Sequence, residues 1–175
     1  MKQNETGDAY VGLARKTIEA HVNTGEKIKI PEGLPEEMYS QRAGVFVSIK
    51  ENGALRGCIG TIQAVWSSIA EEIIENAISA SSMDPRFYPI VPEELDKLTI
   101  SVDVLGDMEK IDSTDQLDVR RYGVVVTKGR RRGLLLPNLE GVDTIEEQVA
   151  IAKQKAGINE WEEAELERFE VVRHY

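Results

Sequence analysis

The chain has 175 residues, 41% hydrophobic and 30% charged, and its 31 acidic against 21 basic side chains give a formal net charge of −10. That length carries one self-sufficient core, or one domain with a modest lobe, without staples, and the acidic field works against nucleic acid and anionic membranes as partners. A single cysteine excludes an intrachain disulfide and fits a reducing compartment, the opening MKQNETGDAY lacks the apolar core of a signal peptide, and no apolar run nears the roughly 20 residues of a membrane span; the expected location is cytoplasmic.

In chain order, Asp8 is placed to cap a first helix on which Val11, Ala14, Ile18 and Val22 recur at helical spacing, and Gly25 is a natural stop. EKIKIPEGLPEEMYSQRAG, broken by Pro31, Gly33 and Pro35, reads as a long connection. In VFVSIKENGALRGCIGTI, Val45, Val47 and Ile49 alternate with Phe46, Ser48 and Lys50 as in a strand. Asn52-Gly53 signals a hairpin, because both residues tolerate positive φ. From Trp66 to about Ser82 the period becomes helical, with Trp66, Ile69, Ile73, Ala77 and Ala80 on one face and a small-residue end that allows close packing. DPRFYPIVP breaks that helix. LTISVDVL is a strand, and RRYGVVVTKGRRRGLLLPN is a strand, a basic turn and a strand. Thr144 and Glu147 form a capping box for a helix that runs through Ile145, Val149, Ala152 and Ala156 to Gly157, and RFEVVRH is a last strand. Strands in hairpins and singly, without strict strand–helix alternation, give an α+β fold with antiparallel sheet packed with helices.

The stretch that carries chemistry is LRGCIG, residues 55–60, which holds the one cysteine. In an unbroken strand Arg56, Cys58 and Gly60 share one face, while Leu55, Gly57 and Ile59 share the other, where Leu55 and Ile59 suit a core. Gly60 then leaves a notch beside the thiol, and Arg56, about 7 Å along the strand, favours the thiolate. Gly57 and Gly60 also let a ligand approach the backbone amides. The same local pattern suits a buried, inert thiol; the arginine on the thiol's own face is what points to function. DPRFYP supplies Asp84 and Arg86 as companions, on a corner that Pro85 stiffens. Asp103 reads as a solvated charge, KGRRRG as a solvated hairpin tip, His21 as a packed boundary residue and His174 as a surface residue. Neither metal-ligand spacing nor a GxGxxG or GxxxxGK[ST] loop is present, so no metal or cofactor is expected.

LRGCIGTI, ENAISASSMDPRFYPI, EELDKLTISVDVL and YGVVVTKGRRRGLLLPNLEGVDTIEEQVAIAKQKAGI occur in one order. Together they resemble the AMMECR-one domain family, whose bacterial and archaeal members are called AmmeMemoRadiSam system protein A. Leu55 to Gly60 match its hallmark hexapeptide in full, Asp84 to Phe87 its DPRF element and Gly133 to Pro137 its GLLLP element. TIQAVW after the hexapeptide and Ser81-Ser82-Met83 before DPRF depart from the pattern of many relatives. The resemblance implies one domain over residues 1–175 with two unequal lobes, the larger holding both termini. It also implies association with a MEMO-type protein and a radical-SAM protein, and supplies a site rather than a reaction.

Two functions follow as expectations. One is an enzyme acting on a small anionic metabolite through a cleft at Cys58 and Arg56. There Cys58 is nucleophile or redox thiol, Arg56 offers a fork for a carboxylate or phosphate, and Leu55, Gly57, Ile59, Gly60, Asp84 and Arg86 are binding residues. The other is a non-catalytic module that presents the same surface to a small ligand or to a radical-SAM or MEMO-type partner.

Overall fold

The computed structural model describes residues 8–175; residues 1–7, most of the opening segment read above for a leader, lie outside the described residues. The chain divides into two compact units, one up to Leu105 together with 172–175, the other Gly106–Val171. Each has its own four-stranded antiparallel sheet, so the fold is α+β. No helix among the described residues is long and apolar enough to cross a membrane.

In the first unit, helix α1 (Ala9–Thr24) starts at Asp8, whose carboxylate accepts the Tyr10 N–H, and ends at Gly25 in the left-handed region. Its buried stripe is Tyr10, Leu13, Ala14, Thr17 and Ile18; Val11 and Val22 lie at the margins of that stripe, only partly buried. The expected long connection contains a short helix, α2 (Glu36–Ser40), which the sequence reading missed and which buries Met38 completely. Strands β1 (Val45–Glu51) and β2 (Ala54–Gly60) form the hairpin, turning at Asn52 and Gly53 with φ of 51° and 82°. Helix α3 (Ile69–Ser82) begins at Ser68 rather than at Trp66, because the Ser68 hydroxyl accepts the Glu71 N–H and sets the boundary. Strand β3 (Leu98–Leu105) pairs with β1 along the whole length of β1.

Val45, Val47, Ile49, Leu98, Ile100 and Val102 bury one face of this sheet beneath α1 and α3. The order is β2-β1-β3-β8, where β8 is Val171–His174, so β2 is an edge strand. The other unit contains β4 (Glu109–Ile111), β5 (Gly123–Lys128), β6 (Arg131–Leu135), helix α4 (Ile145–Ala156) and β7 (Glu165–Phe169), in sheet order β4-β7-β5-β6 with α4 against β5 and β6.

The expected single strand RFEVVRH is two: β7 belongs to the second sheet and β8 (Val171–His174) to the first. The chain leaves the second sheet at Glu170, whose carbonyl accepts the Gly106 N–H. His174 is not a free surface residue. It stacks on Tyr10 with centroids 3.9 Å apart and meets the Asp8 carboxylate at 2.5 Å. Asp103 is not solvated either; its side chain is 2% exposed and pairs with Arg173 of β8.

Two glycines test this packing in opposite directions. A Cβ on Gly57 would stand 2.2 Å from the Ala80 carbonyl oxygen of α3, and backbone cannot move aside cheaply. Gly57→Ala is expected to destabilise the fold by about 1–3 kcal/mol. Gly12, on the exposed side of α1, has nothing within 4 Å of an added Cβ, and Gly12→Ala is expected to stabilise by about 0.5–1 kcal/mol. Urea unfolding of both variants measures this; an unchanged Gly57→Ala midpoint would contradict the close approach of α3 to β2.

Candidate functional site

Ser48 and Cys58 face each other across the β1–β2 ladder. The Cys58 N–H goes to Asp84 Oδ2 at 3.0 Å, away from β1. In an antiparallel ladder a residue's N–H and C=O point the same way, so this is a non-hydrogen-bonded pair, the kind that brings side chains closest. Accordingly, Ser48 Oγ lies 3.3 Å from Cys58 Sγ. The outward-facing peptide groups of Cys58 would be an unpaired sheet edge, and the loop after α3 covers them. Asp84 takes the N–H, and Arg86 Nη2 reaches the Cys58 carbonyl at 3.4 Å.

That loop is a closed turn. Phe87 N–H donates to the Asp84 carbonyl, and Ile90 N–H returns to the Ser81 carbonyl at 2.9 Å. Within it Asp84 and Arg86 form a fork: Nε to Oδ1 at 3.0 Å and Nη2 to Oδ2 at 2.8 Å, while the Arg86 N–H also donates to Oδ1. The Asp84 side chain is 3% exposed and that of Arg86 is 53% exposed. The Arg86 hydrogen bonds, together with the N–H groups of Cys58 and Arg86, hold the Asp84 carboxyl down at about 2 although burial pushes it up. Arg86 is raised, chiefly by its hydrogen bond to Asp84, with smaller support from the charges of Asp84 and of the Cys58 thiolate.

Arg56 is engaged elsewhere. Its Nε and Nη2 donate to the two carboxylate oxygens of Glu94 at 2.8 and 3.1 Å, and Glu51 stands 3.7 Å away. Glu94 lies in the 3-10 turn Pro92–Lys97, where its carboxylate also accepts the Val91 N–H at 2.9 Å. The Arg56 guanidinium, foremost, holds Glu94 at about 2, while burial and the neighbouring Glu94 push Glu51 up.

The alternation expected along the hexapeptide fails at Arg56, because the register slips there. Gly57 faces Ile49 and Leu55 faces Lys50, leaving Arg56 as the extra residue of a bulge. The slip takes Leu55 off the core face, and it is 42% exposed. Ile59, beyond the bulge, does pack on the core. The expected notch at Gly60 is filled, since a Cβ there would meet the Phe46 ring at 2.3 Å. Gly57 lies beneath α3, so its missing side chain admits a helix and not a ligand. Of the residues expected at the site, Cys58, Asp84 and Arg86 therefore come together, whereas Arg56 meets two carboxylates.

Sequence reading missed Ser48, Glu94 and Glu72. Glu72 is fully buried on α3, where it accepts the Thr61 hydroxyl at 2.6 Å and the N–H groups of Val65 and Trp66. Asn76, one turn on, donates to the Val45 carbonyl and to Thr61 Oγ1. These two shape the TIQAVW segment that follows β2. A readable signal existed: Glu72 and Asn76 fall on the same helical stripe as Ile69, Ile73 and Ala77. The basic hairpin at Lys128 to Arg132 is met by acid, with Arg131 forked onto Glu162 and Arg132 at 3.7 Å from Glu167.

The AMMECR1 family profile matches residues 11–174. Protein CA_C1420 of Clostridium acetobutylicum is 52% identical over 168 residues, covering 95% of this chain but 36% of that protein, so the chain spans about a third of this relative's length. A protein of Thermotoga maritima is 50% identical over 167 residues, 94% of this chain and 96% of its own. The crystal structure of the uncharacterized protein PH0010 from Pyrococcus horikoshii superposes with a TM-score of 0.88 at 34% identity, covering 97% of this chain and 90% of that one.

The depressed Asp84 carboxyl gives a pH signature. A carboxyl held at about 2, against an ordinary 3.8, contributes stability that is fully present above about pH 4 and is lost as pH falls toward 2. Asp84→Asn is expected to cost roughly 1–3 kcal/mol at pH 7, and the gap to the native protein should close between pH 4 and pH 2. Urea unfolding at a series of pH values checks this; a gap that stays constant to pH 2.5 would contradict it.

Proposed function

Since the chain belongs to the AMMECR1 family, we propose for it a thiol-dependent enzyme acting on a small anionic substrate, with Cys58 as the attacking group and Arg86 as the residue that holds the anion. The observation that carries the reading is the half-exposed Arg86 guanidinium fixed on the peptide of Cys58 by a buried carboxylate. Asp84 occupies Nε and Nη2, so the remaining Nη1 edge is turned over to a ligand in a set orientation. The same positive charge, with the Ser48 hydroxyl as donor at 3.3 Å, favours the thiolate. Asp84 offsets part of that field, but its charge is already shared among four N–H donors. Arg56, first expected as the anion's fork, is engaged by Glu94 and Glu51, and the role passes to Arg86.

A second reading, a module that docks on a MEMO-type or radical-SAM partner, has its own support. Met83, Tyr88 and Val91, 68%, 89% and 48% exposed, flank Arg86 in the chain. The Clostridium relative has almost two thirds of its length outside the matched part. On either reading the hairpin at Lys128 to Arg132 is no part of the site, and its Arg131 and Arg132 are met by Glu162 and Glu167.

Alkylation of Cys58 by iodoacetamide against pH tests the proposal. The midpoint is expected below the free-thiol value of about 8.5, and it should rise in Arg86→Met. Millimolar inorganic phosphate should slow alkylation of the native protein and leave Arg86→Met unaffected. A thiol that resists alkylation throughout, in a protein that Cys58→Ser clearly destabilises, would make Cys58 a core residue and end the proposal. Protection by phosphate without turnover of any acyl or phosphoryl ester would favour the docking module.

A further inference from the structure

We infer that Arg56 is a positioning residue: through Glu94 it braces the 83–91 loop and so holds Asp84 and Arg86 against Cys58. This rests on the reading that Arg86 serves the thiol. The Glu94 carboxylate joins three pieces of chain. Its Oε1 and Oε2 take the Arg56 fork from the bulge of β2, Oε2 takes the Val91 N–H at the end of the loop, and Glu51 of β1 stands beside the same guanidinium. The loop is thus pinned at three points. Ile90 holds to Ser81 of α3, Val91 holds to Glu94, and Asp84 holds to the Cys58 peptide. The first pin fixes the loop to its own helix only. The other two fix it to β2, one on each side of Gly57, two residues apart along the strand.

The bulge is what makes this possible. Arg56 has no register partner in β1, so it is the residue of β2 that the ladder does not use. Its side chain is 15% exposed and Glu94's is 19%, so the fork is shielded from water and holds its geometry better than a surface pair would. A fork needs two parallel N–H groups along one guanidinium edge, which a lysine cannot supply. The hexapeptide and the loop then work as one device: the arginine of LRGCIG sets the loop, and the loop returns its own arginine to the cysteine of LRGCIG.

A direct electrostatic effect and a positioning effect have opposite signs in one variant. Glu94→Gln removes a negative charge and unmasks Arg56, which by field alone would lower the midpoint of Cys58 alkylation. If the brace positions Arg86, the midpoint should instead rise, by about half a pH unit, or about threefold in rate below the midpoint. The second readout is amide hydrogen exchange followed by NMR. In Glu94→Gln and Arg56→Met the Cys58 N–H should exchange at least about tenfold faster, with the Val102 N–H of the central strand β3 unchanged. Arg56→Lys should fall between, and the exchanged pair Arg56→Glu with Glu94→Arg should recover most of the protection; these two carry the test if a single variant does not fold. Unchanged Cys58 exchange in the folded variants, or faster exchange of Cys58 and Val102 alike, would overturn the inference. Faster Cys58 exchange alone, in a protein whose Arg86→Met variant titrates like the native thiol, would uphold the brace and sink the reading of Arg86.

Discussion

An edge strand carries peptide groups that point away from its sheet, and in β2 the cysteine is a residue with both groups turned outward. The Asp84 carboxylate accepts that N–H while binding the Arg86 guanidinium, and Arg86 in turn reaches the carbonyl. One buried carboxylate therefore does three things. It closes the sheet edge against another strand, it orients a half-exposed cation beside a thiol, and it fixes the loop that leaves α3. Hydrogen bonds to a charged acceptor are worth about 1.5–3 kcal/mol each, so the bond to Asp84 is a substantial part of what fixes the Cys58 peptide.

The first unit repeats this solution. Glu72 completes the backbone of the segment after β2, Asn76 satisfies the Val45 carbonyl, and Glu94 caps the 83–91 loop. Each is a polar side chain, little exposed or buried, that hydrogen-bonds at least one backbone group as well as a neighbouring side chain. Such groups are costly to strand, and the residues that satisfy them are correspondingly constrained. The result is a site with little freedom to rearrange. β2 is locked from beneath by the contact of Gly57 with α3, from its edge by Asp84 and Arg86, and at its bulge by the Arg56 fork.

Much of this was legible in the amino-acid sequence. Val45, Val47 and Ile49 announced a half-buried strand, Asn52-Gly53 its turn, Gly25 and Gly157 the ends of α1 and α4, and Asp84 and Arg86 the companions of Cys58. Where reading failed, a local rule met a non-local constraint. Alternation assigned Arg56 to the thiol and Leu55 to the core, but a bulge is invisible in the pattern of one strand, because register belongs to the pair. Gly60 looked like a notch, but the ring that fills it comes from β1. RFEVVRH looked like one strand because periodicity does not register a change of sheet at Glu170. Asp103 looked solvated because its partner, Arg173, lies seventy residues along the chain. Glu72 was the exception, a charge on an apolar stripe that could have been recognised as a buried acceptor.

The measurement that bears most directly on the account is an NMR titration from pH 7 down to pH 1.5, following the Asp84 carboxyl carbon and the Cys58 amide proton together. If this carboxylate holds the cysteine peptide, the two signals move as one, with a shared midpoint at about 2. An Asp84 midpoint at the ordinary 3.8, or a Cys58 amide that ignores it, would contradict the account.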